Sequence, residues 1–508
     1  MGNALTAIDI ALAAFGLYLL HLYIQRPSQS VPYPPGPKGL PLVGNVADVP
    51  KQKEWLTYAE WGRKWGGICS IKLLGRSMII VNSADVMDEL DKKGAIYSNR
   101  PRLEMGGELV GYSETLVLIP YGERFRTYRK HFAQYIGSGN PIQNLHPLIE
   151  LESHKFLKRV LADHTDLLQH LRKLAGGIIL GLTYGYEVQE NQDPFVNLIE
   201  HANDNFNVAS VPGNFLVDFF PVLLQLPEWL PGMGFLETAR KWAKDTAAMV
   251  EVPFAYTKKQ IEAGAAPPSF ISTILQDDIN ISGNQLRDLK FTAASMYGGG
   301  ADTTVSAEYA FFLAMVLNPA IQKKAQAEID SVIGSDRLPS LADRPNLPYL
   351  NAVVTEVLRW NSVAPTGVPH TATEDGIVAG WFVPKGAIIL ANLWNMLHDP
   401  QVYPEPFNFD PERHIAQAGK PAQRDPRNVC FGYGRRICPG MYLAEASLFS
   451  CVAMSLAVFD ITKTIENGVT ITPVHENTSG TISYPEPFKC TIKPRSAKAL
   501  SLIAEDLH

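Results

Sequence analysis

The stretch that most constrains this chain is residues 431–440, FGYGRRICPG, followed at once by the apolar run MYLAEASLFSCVAMSLAVF. The composition of that run predicts a helix, so Cys438 stands in a glycine-rich turn just before a helix N-terminus. The N–H groups and the positive dipole end there favour an anion, which draws the cysteine toward its thiolate form. Gly432, Gly434 and Gly440 lack a Cβ and let the backbone approach a flat ligand closely. Arg436 adds a planar cationic fork suited to a carboxylate. A buried thiol in a tight loop is the plainer reading of any lone cysteine.

The other cysteines are Cys69, Cys430, Cys451 and Cys490, and no CxxC pair occurs. Five cysteines in 508 residues suggest neither a disulfide framework nor a zinc site. The formal net charge is -6 and the basic residues form no long run, so no nucleic-acid partner is expected. Apolar residues make up 46% of the chain, enough for a large core.

The N-terminus has its own character. Residues 4–24 are apolar apart from Thr6, Asp9 and His21. As a helix they would span roughly 31 Å, about one hydrocarbon core. A cleaved signal peptide is the rival, but neither a basic n-region nor a small-residue cleavage site is evident. Arg26 and Lys38 follow the segment and no Lys or Arg precedes it, which puts the C-terminal side in the cytosol. We therefore expect an anchor over residues 1–26, a proline-rich hinge over 27–45 and one large domain over 46–508. Within that domain, residues 67–82 read as two strands around a Gly-Arg turn. Helical patterns cover 123–135, 147–161, 286–317 and 319–333, and strand-like pieces return near 376–390 and 468–492. The fold class is mainly α with small β-sheets, and no internal repeat appears.

Residues 431–440 fit F-x-x-G-x-R-x-C-x-G at Phe431, Gly434, Arg436, Cys438 and Gly440. This resembles the haem-binding signature of the cytochrome P-450 superfamily. Further likenesses lie upstream in the same order. Glu356 and Arg359, three apart on one helix face, resemble the E-x-x-R pair, and Arg413 in FDPERH its third member. Residues 298–304, GGGADTT, resemble the oxygen-binding groove, filled by Gly299, Gly300, Asp302, Thr303 and Thr304. Three helical glycines cost roughly 1 kcal/mol each, so they call for a reason. A threonine hydroxyl there can compete for a backbone carbonyl and make room for water. YGERFRTYRK, residues 121–130, resembles the W-x-x-x-R helix, with Phe125 in place of tryptophan and Arg129 retained. His370 in VPHTATED stands where fungal members often place a propionate contact.

The resemblance covers most of the chain and is nearest to the fungal microsomal members, the O-methylsterigmatocystin oxidoreductase-like monooxygenases. It implies the cytochrome P-450 fold behind one N-terminal transmembrane helix, and haem b with Cys438 as the axial thiolate to iron. Arg129, His370, Phe431, Gly434, Arg436 and Gly440 would hold the haem, and Asp302 and Thr303 would pass protons. It further implies dioxygen as co-substrate and NADPH-derived electrons from a membrane-bound NADPH-dependent cytochrome P-450 reductase, since the chain carries no nucleotide fingerprint of its own. The implied location is the endoplasmic reticulum membrane, single-pass, with the catalytic domain cytosolic. The implied reaction is hydroxylation or epoxidation of a small lipophilic metabolite, such as a terpenoid or aromatic compound of secondary metabolism. Three other readings stand beside it: a non-oxygenating haem-thiolate isomerase or dehydratase, a haem sensor, and a thiol enzyme with Cys438 as nucleophile. Thr303 and the full groove speak against the first two, and the lack of a local histidine signature against the third. Substrate-facing segments are expected at 103–118, 206–236, 363–368 and 478–482, with Leu103, Met105, Leu109, Val110, Val363, Ala364, Val368 and Ile482 turned to the substrate.

Overall fold

The protein is seen in a computed structural model that describes residues 31–505 apart from 212, 278–280 and 282. The expected anchor, residues 1–26, lies outside the described residues. The chain runs through α1 (Glu54–Trp65), the hairpin β1 (Ile68–Leu73) and β2 (Arg76–Val81), and α2 (Ala84–Lys92). Helices then dominate: α3 (Glu123–Ile136), α4 (His146–Ala162), α5 (Leu167–Tyr184), α6 (Pro194–Ala209), α7 (Phe235–Glu262), α8 (Gly283–Leu317), α9 (Pro319–Val332) and α10 (Pro348–Trp360). Four short strands follow, β3 (His370–Thr371), β4 (Gly376–Val378), β5 (Trp381–Val383) and β6 (Ile388–Ala391), and later the helix α11 (Met441–Val458).

The mainly helical expectation holds. Its helix bounds shift by a few residues at the ends, where capping rather than periodicity decides. The β1–β2 turn is Leu74-Gly75, not Gly-Arg: both residues have positive φ, 49° and 89°, the backbone a two-residue hairpin turn requires, and Arg76 already belongs to β2. β2 pairs in parallel with β6, and β6 antiparallel with β3, which sets His370 opposite Ile389. Near the C-terminus, among the described residues, only Phe459–Lys463, Ile465–Glu466, Val469–Thr470 and Cys490–Pro494 are strands, and the chain between the last two is mostly irregular.

Helix α11 is apolar on all sides, as a fully surrounded core helix must be. Among the described residues it is the one helix that alone is long and apolar enough to cross a membrane, and 78% of it is buried inside the protein. Helices α8 and α9 pass the same test only together, and they meet at 107°. Helix α8 packs along α5 and α11 through the largest hydrophobic cluster. Its crossing with α5 explains one groove glycine: a Cβ on Gly300 would lie 2.7 Å from Ile179 Cδ1. At Gly299 a Cβ would meet nothing within 4 Å, so that position opens onto space.

Candidate active site

Between α8 and the N-terminal end of α11 lies a cavity of about 370 Å³. Cys438, Phe431 and Gly440 line one side, and Gly299, Asp302 and Thr303 line the other. The cysteine loop is held by its own backbone, with Cys438 N–H donating to the Phe431 carbonyl at 2.8 Å. Gly432 and Gly434 take φ of 75° and 60°, so both turns need glycine. Gly440 needs it less: its φ is ordinary, and an added Cβ would sit 4.0 Å from Cys438 Sγ.

At Cys438 the protein's own groups act in opposite directions. Burial pushes the Cys438 thiol above its ordinary value, while the Gly440 N–H and the Arg129 guanidinium pull the other way without prevailing. A helix N-terminus does not offset full desolvation of an anion. A cation directly on sulfur would, which is what the chemistry of a thiolate ligand supplies.

Arg100, Arg129, Arg436 and His370 line the same cavity. Arg129 Nη1 donates to the Ile437 carbonyl at 2.6 Å, next to the cysteine. Arg436 spends its guanidinium on the carbonyls of Ser98, Leu116 and Ile119 and lies 4.0 Å from the Phe125 ring centroid. Phe125 therefore supplies a cation–π face in place of an indole N–H. Arg100 donates to the carbonyls of Val117, Val368 and Pro369. Burial lowers Arg436 to about 9, helped by Arg100 and Arg129, and lowers Arg100 to about 10. Asp302 is the one carboxylate among the described residues lining the cavity, and it belongs to the opposite wall. Three guanidinium groups on one cavity, two of which lower the third, have no carboxylate beside them among the described lining residues and fit a ligand bearing carboxylates. The two propionates of a haem are of that kind, so these residues fit the group.

His370 Nδ1 faces the Tyr97 carbonyl at 2.7 Å and its ring stacks on Tyr433. Burial, then Arg100 and Arg436, hold it well below the usual histidine range. The neutral ring thus gives its Nδ1–H to Tyr97, leaving Nε2 an acceptor; a carboxylate there requires the ring to gain a second proton.

On the opposite wall Thr303 Oγ1 donates to the Gly299 carbonyl at 2.9 Å, yet α8 stays helical throughout the groove. The Asp302 carboxyl is pushed up to about 7, mainly by burial. Beneath the cysteine loop, fully buried Glu356 receives Arg359 at 2.7 and 2.8 Å and Arg413 at 3.1 Å, joining the three residues that the sequence paired by likeness. His414 Nε2, which the sequence reading did not include, adds a fourth contact at 2.9 Å.

The substrate side departs from expectation in part. Val363, Ala364, Val368 and Ile482 line the cavity. Leu103, Met105, Leu109 and Val110 do not; their places are taken by Tyr112, Thr115, Leu116 and Val117. The cause is a π-helical turn, Glu104–Leu109, pinned by Met105 N–H donating to Asp218 at 2.9 Å. Glu104 is turned inward there, and Arg102 pairs with it at 2.7 Å. Arg100 carried no local signal that would separate it from others of its type, whereas His414 stands in the FDPERH segment beside Arg413.

The comparisons with known proteins agree with this geometry. The cytochrome P-450 family model matches residues 34–491. The chain is 51% identical to cytochrome P-450 monooxygenase 208 of Postia placenta over 99% of its length and 98% of that protein's. It is 46% identical to cytochrome P-450 monooxygenase claR of Ampulloclitocybe clavipes, covering 99% and 93%, and 39% identical to cytochrome P-450 monooxygenase ppsD of Aspergillus oryzae, covering 98% and 96%. With a cysteine loop, an acid–threonine groove and a cluster of arginines around one cavity, the chain belongs to the cytochrome P-450 family and is an oxidoreductase of the monooxygenase type.

Proposed function

We infer that this monooxygenase hydroxylates or epoxidises a small, neutral, lipophilic metabolite of fungal secondary metabolism, such as a terpenoid or an aromatic intermediate. The observation that carries the reading is the cavity itself. Leu116, Val117, Val363 and Ile482 belong to its apolar lining, and Arg100 and Arg436, which also line it, give N–H groups to the carbonyls of Val117 and Leu116. With haem propionates on Arg100, Arg129 and Arg436, a phosphorylated or multiply acidic substrate would find no other arginine or lysine among the described lining residues.

Haem held by the Cys438 thiolate would supply the chemistry of dioxygen activation, in which two electrons and two protons are consumed, one oxygen atom passes to the substrate and the other leaves as water. This chain's residues would do the rest. Cys438 provides the sulfur ligand, and the Glu356–Arg359–Arg413 network holds the segment beneath it. Arg100, Arg129 and Arg436 neutralise the propionates, with His370 beside them. Asp302 holds a proton at its carboxyl, and the Thr303 hydroxyl beside the Gly299 carbonyl passes it into the cavity. A carboxyl that titrates near the working pH suits this exchange, because it both loses and regains its proton readily.

The electrons are taken to come from an NADPH-dependent cytochrome P-450 reductase in the endoplasmic reticulum membrane, with residues 1–26 as a single-pass anchor and the catalytic domain cytosolic. Exposed apolar side chains support this placement: Leu42, Leu216, Val222 and Trp229 are 84%, 60%, 57% and 80% exposed. Co-expression with the reductase, followed by spectral titration with terpenoids, simple aromatics and polar anions, tests the substrate class. Low- to high-spin shifts with the lipophilic compounds are expected. Tight shifts with the anions alone would overturn it.

A further inference from the structure

The Asp302 carboxyl has a partner 182 residues away in sequence. Tyr484 closes a turn over residues 478–484. Thr478 N–H donates to the Tyr484 carbonyl at 2.8 Å, and Tyr484 N–H returns to Thr478 Oγ1 at 3.0 Å. The turn is tied down on two sides. Ser483 N–H donates to the Val363 carbonyl at 2.8 Å, and Ser306 Oγ on α8 donates to the Ser483 carbonyl at 2.6 Å. Because the turn is fixed to α8 at Ser306, the half-buried Tyr484 side chain meets that helix one turn earlier. Its hydroxyl lies 2.9 Å from the Asp302 carbonyl oxygen and also contacts Asp302 Oδ1. One phenol group thus grips both the backbone and the side chain of the same residue. That grip restrains rotation of the carboxyl, since the phenol stands against Oδ1 and not the other oxygen.

We propose that Tyr484 is a positioning residue for proton delivery: it clamps the Asp302 carboxyl against α8 and, by donating to the ionised form, keeps that acid exchangeable. The proposal rests on reading Asp302 and Thr303 as the proton path. The charged surroundings are mixed. Burial raises the carboxyl, Arg172 on α5 lowers it, Glu200 and Asp204 on α6 raise it, and a hydrogen bond from Asn207 on α6 lowers it. A phenol donor acts with Arg172 and Asn207, since a hydrogen bond to a carboxylate favours the charged form. Without that donor, burial holds the proton more firmly.

The test uses the full-length holoenzyme and two readouts. The first is infrared titration of the protonated-carboxyl band that Asp302→Asn abolishes. Its midpoint should rise by about one pH unit in Tyr484→Phe, the size expected for one lost hydrogen bond to a charged group. Replacing Tyr484 by 3-fluorotyrosine, a more acidic phenol with the same ring, should move the midpoint the other way, and this variant keeps the test open if the phenylalanine protein folds poorly. The second readout is peroxide released per NADPH consumed. Tyr484→Phe should raise it several-fold, and Tyr484→Phe on top of Asp302→Asn should add nothing. An unmoved midpoint in both Tyr484 variants, or full additivity of the two substitutions, would overturn the proposal. Impaired coupling in Asp302→Asn with normal coupling in Tyr484→Phe would remove Tyr484 alone. Normal coupling in Asp302→Asn would remove the proton-path reading and this proposal together.

Discussion

Thr303 Oγ1 donates to the carbonyl oxygen of Gly299, 2.9 Å away and one turn back along α8. The hydroxyl proton is therefore spent on the backbone, and the oxygen lone pairs are left free to accept. A proton arriving from Asp302 can bind there while the original one moves on. Thr303→Ala should leave the haem bound and reducible but uncouple electron use from oxygenation. Product per NADPH should fall by on the order of 10²-fold, the lower range for losing a positioned proton donor, while peroxide rises. Simultaneous assay of NADPH, peroxide and product checks it; a wild-type product ratio would argue against a relay role.

Cys438→Ser should abolish both activity and the thiolate-type reduced-carbon monoxide spectrum. Burial already disfavours charge on this side chain, and an alcohol is a far weaker acid than a thiol. The serine protein should therefore present no anionic ligand, even where haem is retained. Persistence of the wild-type spectrum would mean that another residue ligates the iron.

Glu356→Gln should destabilise the protein by about 3–5 kcal/mol, the usual range for breaking a fully buried ion pair. The substitution leaves Arg359 and Arg413, 0% and 2% exposed at their side chains, with no counter-charge. The effect depends on pH in a definite sense. Burial raises the Glu356 carboxyl, but hydrogen bonds from Arg359 and His414 outweigh it and hold the group below its ordinary value. Its contribution is then complete above the ordinary carboxylate value of about 4.3 and is lost as pH falls through the lower folded value. Denaturation of wild type and variant across this range should show a constant gap at neutral pH that closes in acid.

The parts of the site that were legible in the sequence are those whose geometry is local. The cysteine loop needs its glycines at φ of 75° and 60° within a few residues of the sulfur, so it must be contiguous. Glu356 and Arg359 share a helix turn, and the spacing alone put them on one face. Arg100 could not be read this way, because its partners at Val368 and Pro369 lie 268 and 269 residues off. Nothing local separates it from Arg102, which is exposed and serves Glu104. Tyr484 was hidden for the same reason. The misplaced wall at 103–110 has another cause: apolar character does not distinguish a side chain facing a cavity from one facing the core. There the π-helical turn, fixed by distant Asp218, sends Met105 into the core with 0% exposure.

Removing residues 1–26 should free the protein from membranes only partly. The stretch 206–236 is rich in apolar residues and is a second candidate for contact with lipid. It folds as the end of α6, two short 3₁₀ turns and the start of α7, with Leu216, Val222 and Trp229 exposed. Apolar side chains so displayed can enter the headgroup region, where tryptophan is favoured. Fractionation of the truncated protein should leave a share on vesicles that Trp229→Ser reduces. Full solubility of the truncated protein at low salt would leave the anchor as the sole attachment.

Arg100 offers the sharpest separation between a residue that holds the cofactor and one that holds the fold. Its guanidinium ties three carbonyls together, so any replacement weakens the local structure to some degree. Its charge, however, acts with opposite sign in the two forms of the protein. In the haem-free chain Arg100 stands against Arg436, which it helps to lower, and no carboxylate balances the pair. With haem bound, the propionates would turn that repulsion into attraction. Arg100→Gln should therefore destabilise the holoprotein more than the apoprotein, and should speed haem transfer to an acceptor such as apomyoglobin by on the order of tenfold, which corresponds to about 1.4 kcal/mol. Arg100→Lys, which keeps the charge but loses the fork, should restore part of the retention. Arg102→Gln, which removes the exposed partner of Glu104, should lower the stability of both forms alike and leave haem transfer unchanged. Equal destabilisation of both forms by Arg100→Gln, with unchanged haem transfer, would show that Arg100 serves the backbone alone.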